Sequence, residues 1–205
     1  MPGDFGQPPT RARPTEIIVV SGLPRSGTSL MMNMLRAGGL EIMTDGVRQP
    51  DVDNPLGYFE LERVKSLATD SAWLGSARGK AIKVISALLQ HLPKAHQYKV
   101  VFMRRDLDEI LESQARMLEH RGRPRDPSEA RLRMDFTAHL AAIGGLLRGD
   151  AAFEVHDVSY LHLVESPEAE TARVASLLGR DLDRVAMRRC IDPALYRVRR
   201  GSEVP

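Results

Sequence analysis

GLPRSGTS, residues 22–29, joins an apolar run to a helical pattern, and the fold class follows from that junction. The run before it, Glu16–Ser21 (EIIVVS), is short, apolar and β-branched, as a buried strand is. The run after it, Leu30–Leu35, opens a helical pattern. Gly22 and Gly27 permit a tight turn between the two. A strand that passes through such a turn into a helix aims backbone N–H groups and the positive end of the helix dipole at one point. The product is a cradle for phosphate oxygens.

Outward from the loop, Ala81–Ile85 (AIKVI) and Tyr98–Met103 (YKVVFM) repeat the strand signature, and Ala152–Val158 is a fourth candidate. Leu107, Ile110, Leu111, Met117 and Leu118 mark one face of a helix over 106–120. Asp106 can cap it, with Glu109 three residues on in a capping-box arrangement. Leu132, Phe136, Leu140, Ile143 and Leu147 mark a second helix over 127–148, and a third runs over 167–178 and stops at Gly179. Strands alternating with helices predict an α/β P-loop fold, a central parallel sheet with helices on both faces, in a single domain. That domain is expected over 16–205, behind a flexible N-terminal tail over 1–15 rich in Pro and Gly. Thr44–Tyr58, rich in Asp, Pro and Gly, is long for a connection and reads as functional or flexible. Met31, Met32 and Met34 have the spacing of core residues, although they could line an apolar pocket.

Composition excludes several classes. Hydrophobic residues are 42% and charged residues 27% of 205, the balance of a globular protein. A net charge of +2 does not call for a nucleic-acid partner, and the basic clusters at Arg121–Arg125 and Arg188–Arg200 read as solvated surface. Cys190, the sole cysteine, rules out an internal disulfide framework and a multi-cysteine metal site. No apolar run approaches the length of a membrane helix, and the N-terminus lacks the apolar core of a secretory signal. No membrane partner is expected, and the expected location is the cytoplasm. A second copy of the chain is a candidate partner.

The loop departs from the nucleoside-triphosphate pattern GxxxxGK[ST]. Thr28 holds the lysine position, and the cation is Arg25, three residues earlier. No apolar strand ends in an aspartate suited to Mg²⁺, since the one before Arg104 ends in Met103. A kinase using ATP and Mg²⁺ is therefore the poorer reading, and no metal is expected. One strand–helix unit later, Arg105 follows a strand and Ser113 lies about two turns into a helix. Asp106, Glu109 and Ser113 share a face turned away from the apolar stripe, so Arg105 and Ser113 could flank one phosphate. Two anion sites on adjacent units suit a nucleoside phosphorylated at both ends.

Together these segments resemble the sulfotransferases that use 3′-phosphoadenosine 5′-phosphosulfate (PAPS). Their 5′-phosphosulfate loop reads PKSGTT or PRSGTT, and this chain has PRSGTS at 24–29. Their 3′-phosphate segment is an apolar strand, then Arg, then Ser eight residues on, and VVFMRRDLDEILES at 100–113 fits it. VSYLHLVESPEAETARVASLLG, 158–179, is similar to the family's Tyr-x-x-Leu segment and its following helix. The resemblance spans residues 16–180 and implies that Arg25 contacts the phosphosulfate and balances the leaving charge. It implies that Ser26, Gly27, Thr28 and Ser29 supply donors, and that Arg105 and Ser113 grip the 3′-phosphate. Lys83 falls where relatives place a lysine near the sulfuryl group. Arg199, Arg200 and Gly201 resemble the family's late Arg-Lys-Gly contact to the 3′-phosphate.

The chain also departs from that pattern. Cytosolic relatives with small-molecule acceptors carry a histidine two residues after the lysine; here Ile85 stands there, followed by Ser86. His91 and His96 lie past it and read as ordinary surface or core. Protein-tyrosine and heparan-type relatives use a glutamate instead; Asp45 falls near where the tyrosine-type enzymes place theirs, and Glu60, in NPLGYFE, is the other candidate for a proton acceptor. The expected activity is transfer of the PAPS sulfuryl group to an acceptor hydroxyl or amine of unread class. The missing histidine keeps open a nucleotide-binding relative without catalysis. A cap over the acceptor has to come from 44–60, from 121–128 or from a partner subunit.

Overall fold

The computed structural model describes residues 15–124, 128–192, 194 and 196. The expected tail over 1–15 lies outside these residues except for Thr15, as do Arg125 and the late Arg199, Arg200 and Gly201. Four strands form one parallel sheet: β1 (Ile17–Gly22), β2 (Ala81–Lys83), β3 (Tyr98–Arg104) and β4 (Phe153–Ser159), in the order β2-β1-β3-β4. The helices are α1 (Thr28–Ala37), α2 (Leu107–His120), α3 (Glu129–Arg148), α4 (Tyr160–Glu165), α5 (Pro167–Leu178) and α6 (Arg184–Arg189). Single 3₁₀ turns at Glu62–Ser66, Ala72–Ala77 and Ser86–His91 fill the connections around β2.

Alternation along the strands feeds two cores, because successive strand side chains point to opposite faces. Ile18, Val20, Val101 and Met103 pack with Met31, Met32 and Met34 of α1, with Leu178 of α5 and with Met187 of α6. Ile17, Val19, Val100 and Phe102 pack with Trp73, Leu74, Leu89 and, from α3, Ile143 and Leu147. The three methionines are fully buried, as core spacing predicts. Both faces of the sheet are covered, as a parallel sheet requires.

The strand order places the site. The chain leaves β1 through α1 toward β2 on one side, and leaves β3 through α2 and α3 toward β4 on the other. Adjacent strands whose connections depart in opposite directions leave a crevice beyond their carboxyl ends, the usual ligand position of open α/β sheets. The loop after β1 and Arg105 after β3 both lie at that crevice.

Three details refine the sequence reading. The second strand ends at Lys83 rather than Ile85, although the Val84 N–H still donates to the Val20 carbonyl at 3.0 Å. Ile85 then turns outward and is 44% exposed, because a 3₁₀ turn starts at Ser86. Glu109 and Ser113 of α2 are both buried, Ser113 accepting from Arg25 and Glu109 from Tyr196. The short helices α4 and α6 have too few turns to leave a periodic signal and are absent from the sequence reading. Asp106 does cap α2, accepting from the Asp108 N–H at 2.8 Å.

Candidate active site

The phosphate loop is held by its own short contacts. Ser26 turns back on Leu23, donating to its carbonyl from Oγ at 2.7 Å and from N at 3.2 Å. Gly27 is the N-cap of α1 with φ 100°, a left-handed backbone that disfavours other residues. A Cβ at Gly27 would stand 2.5 Å from Cδ2 of Tyr160, so glycine is needed for space as well. A Cβ at Gly22 would stand 2.8 Å from the Met103 carbonyl oxygen, where β1 passes β3. Because the cap has no side chain and the first turn has no acidic residue, the leading N–H groups of α1 are presented to the crevice.

Two cations stand beside those N–H groups, Arg25 half-buried and Lys83 buried. Arg25, itself at positive φ (69°), donates from Nε to Ser113 Oγ at 3.0 Å and from a guanidinium N–H to the Asp53 carbonyl at 3.3 Å. Lys83, at the end of β2, is 8% exposed and donates to Ser29 Oγ at 3.0 Å and to the Tyr58 carbonyl at 2.9 Å. Burial lowers the pKa of both, that of Lys83 to about 8 in spite of Glu60 at 3.7 Å. Desolvated cations at a helix N-terminus are stabilised by an arriving anion, and such perturbed groups in a cleft mark functional sites.

Arg105 is fixed on every side. Its Nε donates to Glu109 at 2.9 Å, and a second N–H donates to the Arg25 carbonyl at 3.1 Å. The guanidinium lies 4.6 Å from the Tyr160 ring centroid and 5.2 Å from that of Tyr196, while the Tyr196 hydroxyl donates to Glu109 at 2.6 Å. The structure thus joins Ser113 to Arg25 directly and braces Arg105 beside them. All three line one cavity of about 650 Å³, together with Gly27, Thr28, Ser29, Lys83 and Glu60.

The segment after α1 forms the other wall. Glu60 accepts from Arg48 at 2.8 Å, and the Arg48 guanidinium stacks 3.3 Å from the Tyr58 ring centroid. The Tyr58 hydroxyl donates to both oxygens of Asp51 at 2.7 and 2.8 Å. Asn54 donates to Ser29 Oγ at 2.9 Å, and Nδ1 of His120 lies 2.8 Å from the Asp53 carboxylate. Arg48, residues 53–56, Tyr58, Glu60 and Arg121 line the cavity, which puts parts of two of the expected capping segments on it. Asp45 is placed elsewhere. It is exposed, lies off the cavity lining, and accepts from the N–H groups of Val47 and Glu62 at 3.0 and 2.6 Å, which lowers its pKa. His91 and His96 also lie off the lining, and Ile85 lines it where the histidine of cytosolic relatives would stand. Arg48, Asn54, Tyr58 and Tyr160 were not legible as site residues, because no local pattern ties them to the loop.

Among the described residues, no group of three or more His, Cys, Asp or Glu is arranged to hold a metal ion, and no helix is long and apolar enough to cross a membrane.

Comparison with known proteins agrees with this fold. The model of the sulfotransferase family matches residues 52–184, about two thirds of the chain. Among solved structures, the sulfotransferase domain of the Synechococcus PCC 7002 olefin synthase superposes with a TM-score of 0.58 at 19% identity, covering 93% of this chain and 82% of that one. The sulfotransferase domain of the curacin biosynthetic pathway gives 0.49 at 15% identity, covering 90% and 77%. A sugar kinase from a Janibacter species gives 0.42 at 19% identity, covering 84% and 98%. No curated protein matches the chain.

Proposed function

This chain belongs to the sulfotransferase family, and we propose that it transfers the sulfuryl group of PAPS to an acceptor hydroxyl or amine. The observation that carries this reading is the pairing of two anion-binding ends at the switch point. The loop at 22–29 follows β1, Arg105 follows the adjacent β3, and both line one cavity. A nucleoside with phosphates at both ends spans such a pair, whereas ATP gathers its charge at one end.

The residues present fit that cosubstrate. The N–H groups at the start of α1, with Ser26, Thr28 and Ser29, would receive the 5′-phosphosulfate. Arg105, braced by Tyr160 and Tyr196, and Ser113 would receive the 3′-phosphate. In the reaction the acceptor heteroatom attacks sulfur and forms the new bond. The bond from sulfur to the bridging oxygen breaks, and its electron pair stays on that oxygen as adenosine 3′,5′-bisphosphate departs. Arg25 and Lys83 balance that charge; one preorganised donor of this kind is worth about 10²–10³ in rate. The acceptor's proton passes to Glu60, which lines the cavity 3.7 Å from Lys83.

Thermal denaturation tests the reading. Adenosine 3′,5′-bisphosphate should raise the melting temperature more than ATP, ADP or AMP at equal concentration, and EDTA should leave the shift intact. Stabilisation by ATP that requires Mg²⁺, with none from the bisphosphate, would overturn it in favour of a kinase. Bisphosphate binding without turnover of PAPS on any acceptor would favour a non-catalytic relative.

A further inference from the structure

We propose that the acceptor of this sulfotransferase carries its hydroxyl on an uncharged aliphatic or aromatic body, not on a sugar ring; this rests on the sulfuryl-transfer reading above. Glu60 and Lys83 are each followed in the chain by aliphatic residues that also line the cavity. They are Leu61 and Val64, with Lys65, after Glu60, and Val84, Ile85 and Leu88 after Lys83. Val64 and Val84 belong to the hydrophobic core on that face of the sheet, and Leu61 and Leu88 pack against it. The polar member, Lys65, is exposed, and its ammonium donates to both oxygens of Glu62 at 2.6 and 2.7 Å.

A sugar presents a hydroxyl at nearly every ring carbon. Each one buried without a partner costs free energy. These aliphatic side chains offer none of those partners, while an alkyl or aryl body gains from covering Leu61, Ile85 and Leu88, which stay partly exposed; Val64 and Val84 are already buried. Leu56 and Ile85 also line the cavity and are 45% and 44% exposed, so apolar surface remains open for a longer body to cover. An ammonium acceptor is disfavoured by Arg25 and Lys83 beside it. A hydroxyl meets no such repulsion and has Glu60 to take its proton.

The experiment has two arms. First, a melting-temperature shift with adenosine 3′,5′-bisphosphate checks the donor site alone. Initial rates with PAPS are then measured for straight-chain alkan-1-ols of increasing length, for phenol, and for glucose and N-acetylglucosamine. In the alkanol series, kcat/KM should rise by up to about fourfold per methylene while Leu61, Ile85 and Leu88 are being covered. Sugars should trail the longest alkanols by more than that series spans. Ile85→Gln should flatten the length dependence and leave the bisphosphate shift unchanged. Sugars turned over as well as the longer alkanols, or no alkanol or phenol turned over by a chain that binds the bisphosphate, overturns the proposal. No shift with the bisphosphate overturns the sulfuryl-transfer reading instead, and the proposal with it.

Discussion

Residues 22–29 and residues 44–60 meet at the same cavity, yet they hold their shape by different means. The loop is contiguous and close-packed. Ser26 bonds to Leu23 within it, and Gly22 and Gly27 sit where a Cβ would strike Met103 and Tyr160. The longer segment has almost no regular structure, and polar contacts tie it down. They are Arg48 to Glu60, Tyr58 to Asp51, Asn54 to Ser29 and His120 to Asp53. Each wall includes one residue that accepts a strained backbone, Arg25 at φ 69° and Phe59 at φ 52°, the two non-glycine residues at positive φ among those described. Strain of that kind persists only where the surroundings over-determine it, and it gathers at functional sites. One wall should therefore fail as a unit, while the other should lose its contacts one at a time.

Gly27→Ala should have the largest effect. It forces a left-handed backbone on a residue with a Cβ, which costs about 1–3 kcal/mol. It also drives that Cβ into the Tyr160 ring. Urea unfolding should show the loss of stability, and calorimetry should show loss of bisphosphate binding. A variant that keeps both would mean the loop is not the rigid wall described.

Glu60→Gln should retain the fold and lower turnover by about 10²–10⁴, the range of general-base catalysis. The segment would then carry chemistry rather than mere cover. Full activity across pH in this variant would return the role to positioning alone.

Lys83 joins the two walls, since it donates to Ser29 on one and to Tyr58 on the other. Burial lowers its pKa to about 8 from an ordinary 10.5, so the folded chain releases this proton before the unfolded chain does. The group's contribution to stability should therefore rise with pH between those two values. Activity should move the other way. The kcat/KM profile of the free enzyme should fall above a pH of about 8, as the cation needed by the leaving oxygen is lost. Lys83→Met should remove the stability rise and lower turnover by about 10²–10³. A high-pH limb that survives in this variant would belong to another group.

Asp45→Asn should have the smallest effect. Its side chain is exposed and bonds to backbone N–H groups away from the cavity, so turnover should stay within about twofold of the parent. A loss as large as that for Glu60→Gln would show that the geometry of the longer segment, not one carboxylate, limits the reaction.

The difference between the walls also explains what was legible. PRSGTS and the Arg105–Ser113 spacing stood out because each is set by local backbone geometry: a glycine turn, a strand end, two turns of one helix. The strands were legible for the same reason, the short β2 included, although its end at Lys83 and the outward turn at Ile85 depend on the 3₁₀ turn beyond it. Two carboxylates of similar standing in the sequence separated only in three dimensions. Glu60 lies beside Lys83, while Asp45 holds a turn at Glu62. Tyr160 and Tyr196 come from distant parts of the chain to pack around Arg105, and no periodicity could have paired them with it.

Residue type at short range sufficed for the alternation of strands and helices and for the glycine turn at 22–29 with Thr28 in the lysine position. The packed chain was needed to bring Ser113 to Arg25, to strip Lys83 of water and to set Leu61, Ile85 and Leu88 in one cavity lining with Glu60. Each of those depends on which distant side chains exclude solvent from a group, and burial is a property of the packed chain, not of any segment within it.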